Sequence, residues 1–179
     1  VYSGSIGLAN NLDILVDVAN TLKDNDKIHF TIIGDGASKE ELIVKSKELR
    51  LVNITFLDPV PKSEIYDYLH SADLLYVGLK NLPLYRYGMS MNKIFDYMSV
   101  AKPILFASDI DENIIVDAKC GFTISNPDEI ANTILKISQL STKELETLGR
   151  NGYDYLVENY SIKVLCDKLE TTLQEVLEQ

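Results

Sequence analysis

Tryptophan is absent from these 179 residues, and histidine and cysteine occur twice each. His29 and His70 fall in or beside expected core elements and read as structural, which leaves little for chemistry built on imidazole clusters. Cys120 and Cys166 lie far apart without metal-ligand spacing, so buried thiols in a reducing compartment, the cytoplasm, are expected. Positive charge is the scarcer sign: 17 basic against 27 acidic residues give a net −10, which argues against a general nucleic-acid surface. It leaves room for a nucleotide, because one or two local cations and backbone amides hold a diphosphate. No run is long and apolar enough to cross a membrane, and no signal-peptide pattern opens the chain. Repeats, linkers and low-complexity segments are also missing. The chain starts Val1-Tyr2-Ser3-Gly4, directly in a strand and without an initiator Met, as an excised domain does; further sequence upstream is expected.

What is present is alternation. Strands are expected at Val1–Gly4, Ile28–Ile33, Asn53–Leu57, Leu74–Val77, Pro103–Ala107 and Gly121–Ile124. Between them lie helical stretches: Leu12 to Leu22 with apolar residues at helical spacing, Ser38 to about Arg50, Ser63–Ser71, Asn92–Val100, a short Glu112–Ala118, and Pro127–Leu140. Ser38 with Glu41 reads as a capping box. Such βαβ alternation predicts an α/β fold, a doubly wound, Rossmann-like parallel sheet of about six strands. Two extra C-terminal helices, Thr142–Glu158 and Ile162–Glu178, follow without a strand between them, to pack on a neighbouring domain or on this sheet.

Ligands of an open parallel sheet bind beyond the carboxyl ends of its strands. Three segments sit there. Gly4-Ser5-Ile6-Gly7 permits close backbone approach and leads into a helix, although two glycines at such a turn are as often turn chemistry alone. Gly34-Asp35-Gly36 reads first as a tight turn. From Leu84 to Pro103 a loop runs into a helix bearing Lys93 and Asp96 on one face. Gly88 through Asn92, with Met89 and Ser90 between, offer amides for a diphosphate, Lys93 a point charge, and Asp96 an acceptor for a vicinal diol. Taken alone, Lys93 and Asp96 read as an exposed ion pair.

Taken in order, these segments resemble the C-terminal, donor-binding half of retaining GT-B glycosyltransferases, above all family 4 ("group 1") and its bacterial capsule and lipopolysaccharide members. The likeness runs over nearly the whole chain. It is carried by Ile32-Ile33-Gly34-Asp35-Gly36, Ile54-Thr55-Phe56-Leu57-Asp58-Pro59-Val60-Pro61-Lys62, Ser71-Ala72-Asp73-Leu74 and the run Tyr87 to Pro103. In that family two glutamates eight positions apart flank the donor loop. The second, which binds the donor ribose, falls on Asp96; the first, associated with the transferred sugar, falls on Gly88, which has no side chain. The resemblance further implies that Lys93 stands in for that first carboxylate, that backbone near Val60 meets the base, and that Gly4 to Gly7 border the phosphates. The arginine often found after the first strand is missing, with Ile6, Leu8 and Ala9 in its neighbourhood; Arg86 is a candidate replacement.

The resemblance implies transfer of a sugar from a nucleoside diphosphate sugar to an acceptor hydroxyl with retention, in cell-envelope or polysaccharide synthesis. It implies no metal and no cofactor, since helix-terminal amides and basic side chains offset the leaving diphosphate. Asp109-Ile110-Asp111 is formally an Asp-x-Asp motif, but N-capping by either aspartate is the expected role. The whole of 1–179 is expected to be the donor domain. Its partners are then the nucleotide sugar, its own N-terminal acceptor domain and a lipid-linked or saccharide acceptor, on the inner face of the membrane, with no complete turnover by this half alone. A nucleotide-sugar epimerase-like enzyme and a non-catalytic nucleotide-binding subunit, suggested by Gly88, are the alternatives.

Overall fold

The computed structural model describes residues 1–80, 82, 85, 92–110 and 112–177. Six strands alternate with helices. These are β1 (Tyr2–Ser3), α1 (Leu12–Thr21), β2 (Phe30–Ile33), α2 (Lys39–Glu48), β3 (Ile54–Leu57), α3 (Lys62–Ser71) and β4 (Leu75–Gly78). They continue as α4 (Asn92–Ser99), β5 (Ile104–Ala107), α5 (Ile114–Asp117), β6 (Gly121–Ile124), α6 (Pro127–Ile137), α7 (Thr142–Tyr160) and α8 (Ile162–Leu177). Local chemistry sets several boundaries. Asn126 accepts from the amides of Asp128 and Glu129 with Pro127 in the first turn of α6, and Ser141 with Glu144 forms a capping box on α7.

All strand pairs are parallel and fall into two sheets, β1-β2-β3 and β4-β5-β6. They abut at β1 and β4, where the Tyr76 amide donates to the Val1 carbonyl at 2.8 Å. The strand order is therefore 3-2-1-4-5-6, with the topological switch between β1 and β4. Core residues form two layers, one per face. Strand β5 serves both: Leu105 and Ala107 join α1 and α6, while Ile104 and Phe106 join α3, α4 and α5. Alternation along a doubly covered parallel strand produces this division, so the layers belong to one doubly wound body.

Helix α7 closes the second layer. A Cβ on Gly149 would overlap the Ala101 carbonyl, and one on Gly152 would lie 2.9 Å from Cys120 Cβ, so two glycines let α7 lie directly on the end of α4 and the start of β6. Helix α8 buries no residue and exposes Ile162, Leu165, Leu169, Leu173 and Val176 along one side. Of the two packings expected for the terminal helices, α7 takes this domain's own body and α8 leaves its apolar side open.

Four expectations are corrected. Ser38 precedes α2 with φ −93° and ψ −4°, and its side chain caps nothing; its amide donates instead to the Ile6 carbonyl at 3.0 Å, so a tertiary contact sets the start of α2. Asn113, rather than Asp109, caps α5, accepting from Ile115 and Val116; Asp111 lies outside the described residues. Cys120 is buried but Cys166, on α8, is exposed. Both histidines are exposed: His29 lies just before β2, which begins only at Phe30 beside the edge strand β3, and its Nε2 meets Thr55 Oγ1 at 2.8 Å, while His70 lies in the last turn of α3.

Candidate functional site

At the carboxyl edge, two glycine turns interlock. Gly4 follows β1 with φ +132°, and Gly34 follows β2 with φ +145°. A Cβ on Gly34 would collide with the Gly4 carbonyl, and one on Gly36 with the Ile6 backbone. Both turns are therefore glycine by dihedral angle and by space. The Ile6 amide donates to the Asp35 carbonyl at 2.7 Å, which locks the pair. Lys39, not singled out from the sequence, folds beneath them: Nζ donates to the Gly34 carbonyl (2.8 Å), the Leu57 carbonyl (3.1 Å) and Asp58 (2.8 Å).

Lys93 reaches this edge from the first turn of α4. Its Nζ donates to the Tyr2 hydroxyl at 2.8 Å and to Asn10 Oδ1 at 3.0 Å, and lies 4.3 Å from the Tyr2 ring centroid. A Cβ on Gly4 would sit 3.2 Å from the same nitrogen. Asn10 is itself fixed by β4: the Lys80 amide donates to the Ala9 carbonyl at 3.0 Å, and any Cβ on Gly78 would overlap the Asn10 carbonyl. Gly78 and Asn10 were also missed; the only signal for Gly78 is a glycine closing an apolar strand.

Burial pulls the Lys93 ammonium down to about 8. Among the described residues no carboxylate pairs with it. An ammonium has three donors, and two are engaged. The exposed Lys93–Asp96 pair that the sequence suggested is not formed: Asp96 Oδ1 accepts from the Tyr66 hydroxyl of α3 at 3.2 Å. Tyr97, the next residue, is fully buried, and its hydroxyl accepts from the Ser3 amide at 2.8 Å. Burial pushes that hydroxyl up to about 12, so it is neutral at any working pH.

The structure thus brings Gly4, Gly34 and Lys93 together at the switch point. Ser5 is exposed, and its carbonyl accepts from the Tyr2 hydroxyl. Gly7 opens the 3-10 turn Leu8–Asn10. Val60, half-buried, stands just before α3, and Asn92 begins α4. Arg86, Gly88, Met89 and Ser90 lie outside the described residues. Among the described residues no group of three or more His, Cys, Asp or Glu gathers to hold a metal, and no helix is long and apolar enough to cross a membrane.

A 3-2-1-4-5-6 parallel sheet with glycine turns at its switch point is the architecture of the doubly wound, Rossmann-like folds. The glycosyl transferases group 1 family matches residues 1–140, and the chain belongs to that family. Solved structures share the fold. TarM of S. aureus, as a variant in complex with fondaparinux, alpha-GlcNAc-glycerol and UDP, is 18% identical with a TM-score of 0.78, over 95% of this chain and 34% of its own. HepE of Anabaena in complex with UDP-glucose is 17% identical with a TM-score of 0.76, over 97% and 48%. The pneumococcal O-GlcNAc transferase GtfA, with UDP and GlcNAc, is 18% identical with a TM-score of 0.73, over 99% and 35%. The chain therefore spans about a third to a half of these proteins. No curated protein matches the sequence.

Proposed function

We propose that this chain is the donor-binding half of a retaining, metal-independent glycosyltransferase, and that Lys93 holds the donor diphosphate. One observation carries the reading: a partly buried ammonium with no carboxylate partner among the described residues stands over Gly4 at the switch point. Burying an unpaired cation costs free energy that a bound dianion offsets. The glycine turns let phosphate oxygens approach the backbone, as in other dinucleotide sites. In sugar transfer, negative charge grows on the leaving diphosphate as its bond to the anomeric carbon breaks, and a fixed cation stabilises that change.

Lys93 also supplies charge where Ile6, Leu8 and Ala9 give none, since it lies across from the turn that follows β1. Asp96 binds the ribose diol in this reading, and backbone near Val60 meets the base. The apolar side of α8 faces the N-terminal acceptor half, and the acceptor is a lipid-linked or other saccharide of the cell envelope at the cytoplasmic face of the membrane. UDP, present in the similar structures, is the first nucleotide to try.

The test is sugar transfer. The full-length protein, with and without chelator, is given a panel of nucleoside diphosphate sugars and envelope saccharides, and nucleoside diphosphate release and product anomer are followed by NMR. Chelator-resistant release with a retained anomer is expected. Tight donor binding with no release under any acceptor would instead make the chain a non-catalytic nucleotide-binding subunit.

A further inference from the structure

We propose that Tyr66 is a positioning residue that sets the donor site's preference for ribose over 2′-deoxyribose, by fixing the Asp96 carboxylate through their hydrogen bond. The inference rests on the ribose role given to Asp96 above. Tyr66 and Asp96 are each the fifth residue of a helix that starts at the carboxyl edge, α3 after β3 and α4 after β4. Their bond, 3.2 Å from the Tyr66 hydroxyl to Asp96 Oδ1, therefore joins the two helices one turn below the ligand edge. Val60 and Pro61 lead into the same α3, so one helix carries the segment assigned to the base and the donor that holds the ribose acceptor.

The chemistry follows from the inventory of lone pairs. A carboxylate accepts at two oxygens. Tyr66 occupies part of Oδ1 and fixes the rotamer, while Oδ2 has no partner among the described residues. Aspartate is one methylene shorter than glutamate, so it meets a sugar hydroxyl only in a narrow range of rotamers. Without Tyr66 the carboxylate turns toward solvent, and the hydroxyl that separates ribose from deoxyribose loses a fixed acceptor. Tyr66 is half-buried against the core formed by α3 and α4, and burial and the Asp96 charge both raise its hydroxyl above the usual tyrosine range, which keeps it a donor.

The experiment compares UDP with 2′-deoxy-UDP by titration calorimetry on the full chain, in wild type, Tyr66→Phe and Asp96→Ala, with thermal unfolding of each. Tyr66→Phe is expected to lower UDP affinity, leave 2′-deoxy-UDP nearly unchanged, and so reduce the ribose preference about threefold or more, since a hydrogen bond to a charged group is at stake. Asp96→Ala is expected to erase the preference. If Asp96→Ala erases it while Tyr66→Phe leaves it intact, Tyr66 is only a tie between helices and the inference is overturned. If Asp96→Ala leaves the preference intact, the ribose assignment itself fails and the role of Tyr66 falls with it. Should either variant not fold, Tyr66→Met or Asp96→Leu, which removes the same hydroxyl or carboxylate, takes its place: a preference undiminished by the Tyr66 variant contradicts the role of Tyr66, and one undiminished by the Asp96 variant contradicts both roles.

Discussion

The Ser3 amide donates to the Tyr97 hydroxyl at 2.8 Å, on the edge of β1 that faces β4. A tyrosine from α4 thus occupies a place where a strand-to-strand bond would otherwise form, and the two sheets are joined directly at Val1, whose amino group donates to the Leu74 carbonyl and whose carbonyl accepts from the Tyr76 amide, both at 2.8 Å. The same hydroxyl fixes α4 against β1, and α4 carries both Lys93 and Asp96.

Tyr97→Phe removes that acceptor and leaves the Ser3 amide without its partner. The cost is expected to be about 1–3 kcal/mol, the penalty for an unsatisfied buried group, with weaker UDP binding because α4 is less firmly held. Urea unfolding measures the first and calorimetry the second. An unchanged unfolding midpoint contradicts the wedge.

Gly34→Ala places a methyl group against the Gly4 carbonyl at a φ of +145°. Both the overlap and the dihedral angle oppose it, so a loss of at least about 2 kcal/mol is expected. Gly7→Ala is the control: its nearest neighbour would be 4.0 Å away, and it should alter stability little. Equal unfolding curves for the two variants would contradict the interlocked turns.

Lys93 gives a pH dependence of definite sign. Its folded value, about 8, lies below the ordinary 10.5. Between those values the unfolded chain binds more protons than the folded one, so the ligand-free domain gains stability from this residue as pH rises from 8 to 10.5. UDP affinity moves the other way: it holds below pH 8 and falls by about tenfold per unit above it, because the ligand needs the charged form. Lys93→Arg should flatten that fall, since guanidinium does not deprotonate in this range. A wild-type affinity that stays flat to pH 9.5 would contradict the assignment.

The sequence reveals what local pattern controls. Apolar spacing from Leu12 to Leu22 and six short apolar runs carry the order of elements, and the two glycine turns fall where they were expected. It conceals what depends on distant partners. Nothing near Lys39 marks it as buried, because its three acceptors are the Gly34 and Leu57 carbonyls and Asp58. Lys93 and Asp96 look like each other's neighbours on a helix face, yet each finds a nearer partner elsewhere: Tyr2 and Asn10 for one, Tyr66 for the other. Ser38 matches a capping pattern, but the Ile6 contact sets its backbone first.

The most direct test of a diphosphate at Lys93 is calorimetry of UDP and uridine against wild type and Lys93→Ala, at two salt concentrations. Wild type should bind UDP more tightly than uridine, with the difference shrinking as salt rises. Lys93→Ala should lose most of that preference, about tenfold or more, while uridine affinity stays nearly constant. A folded Lys93→Ala protein that keeps the full preference for UDP would contradict the account.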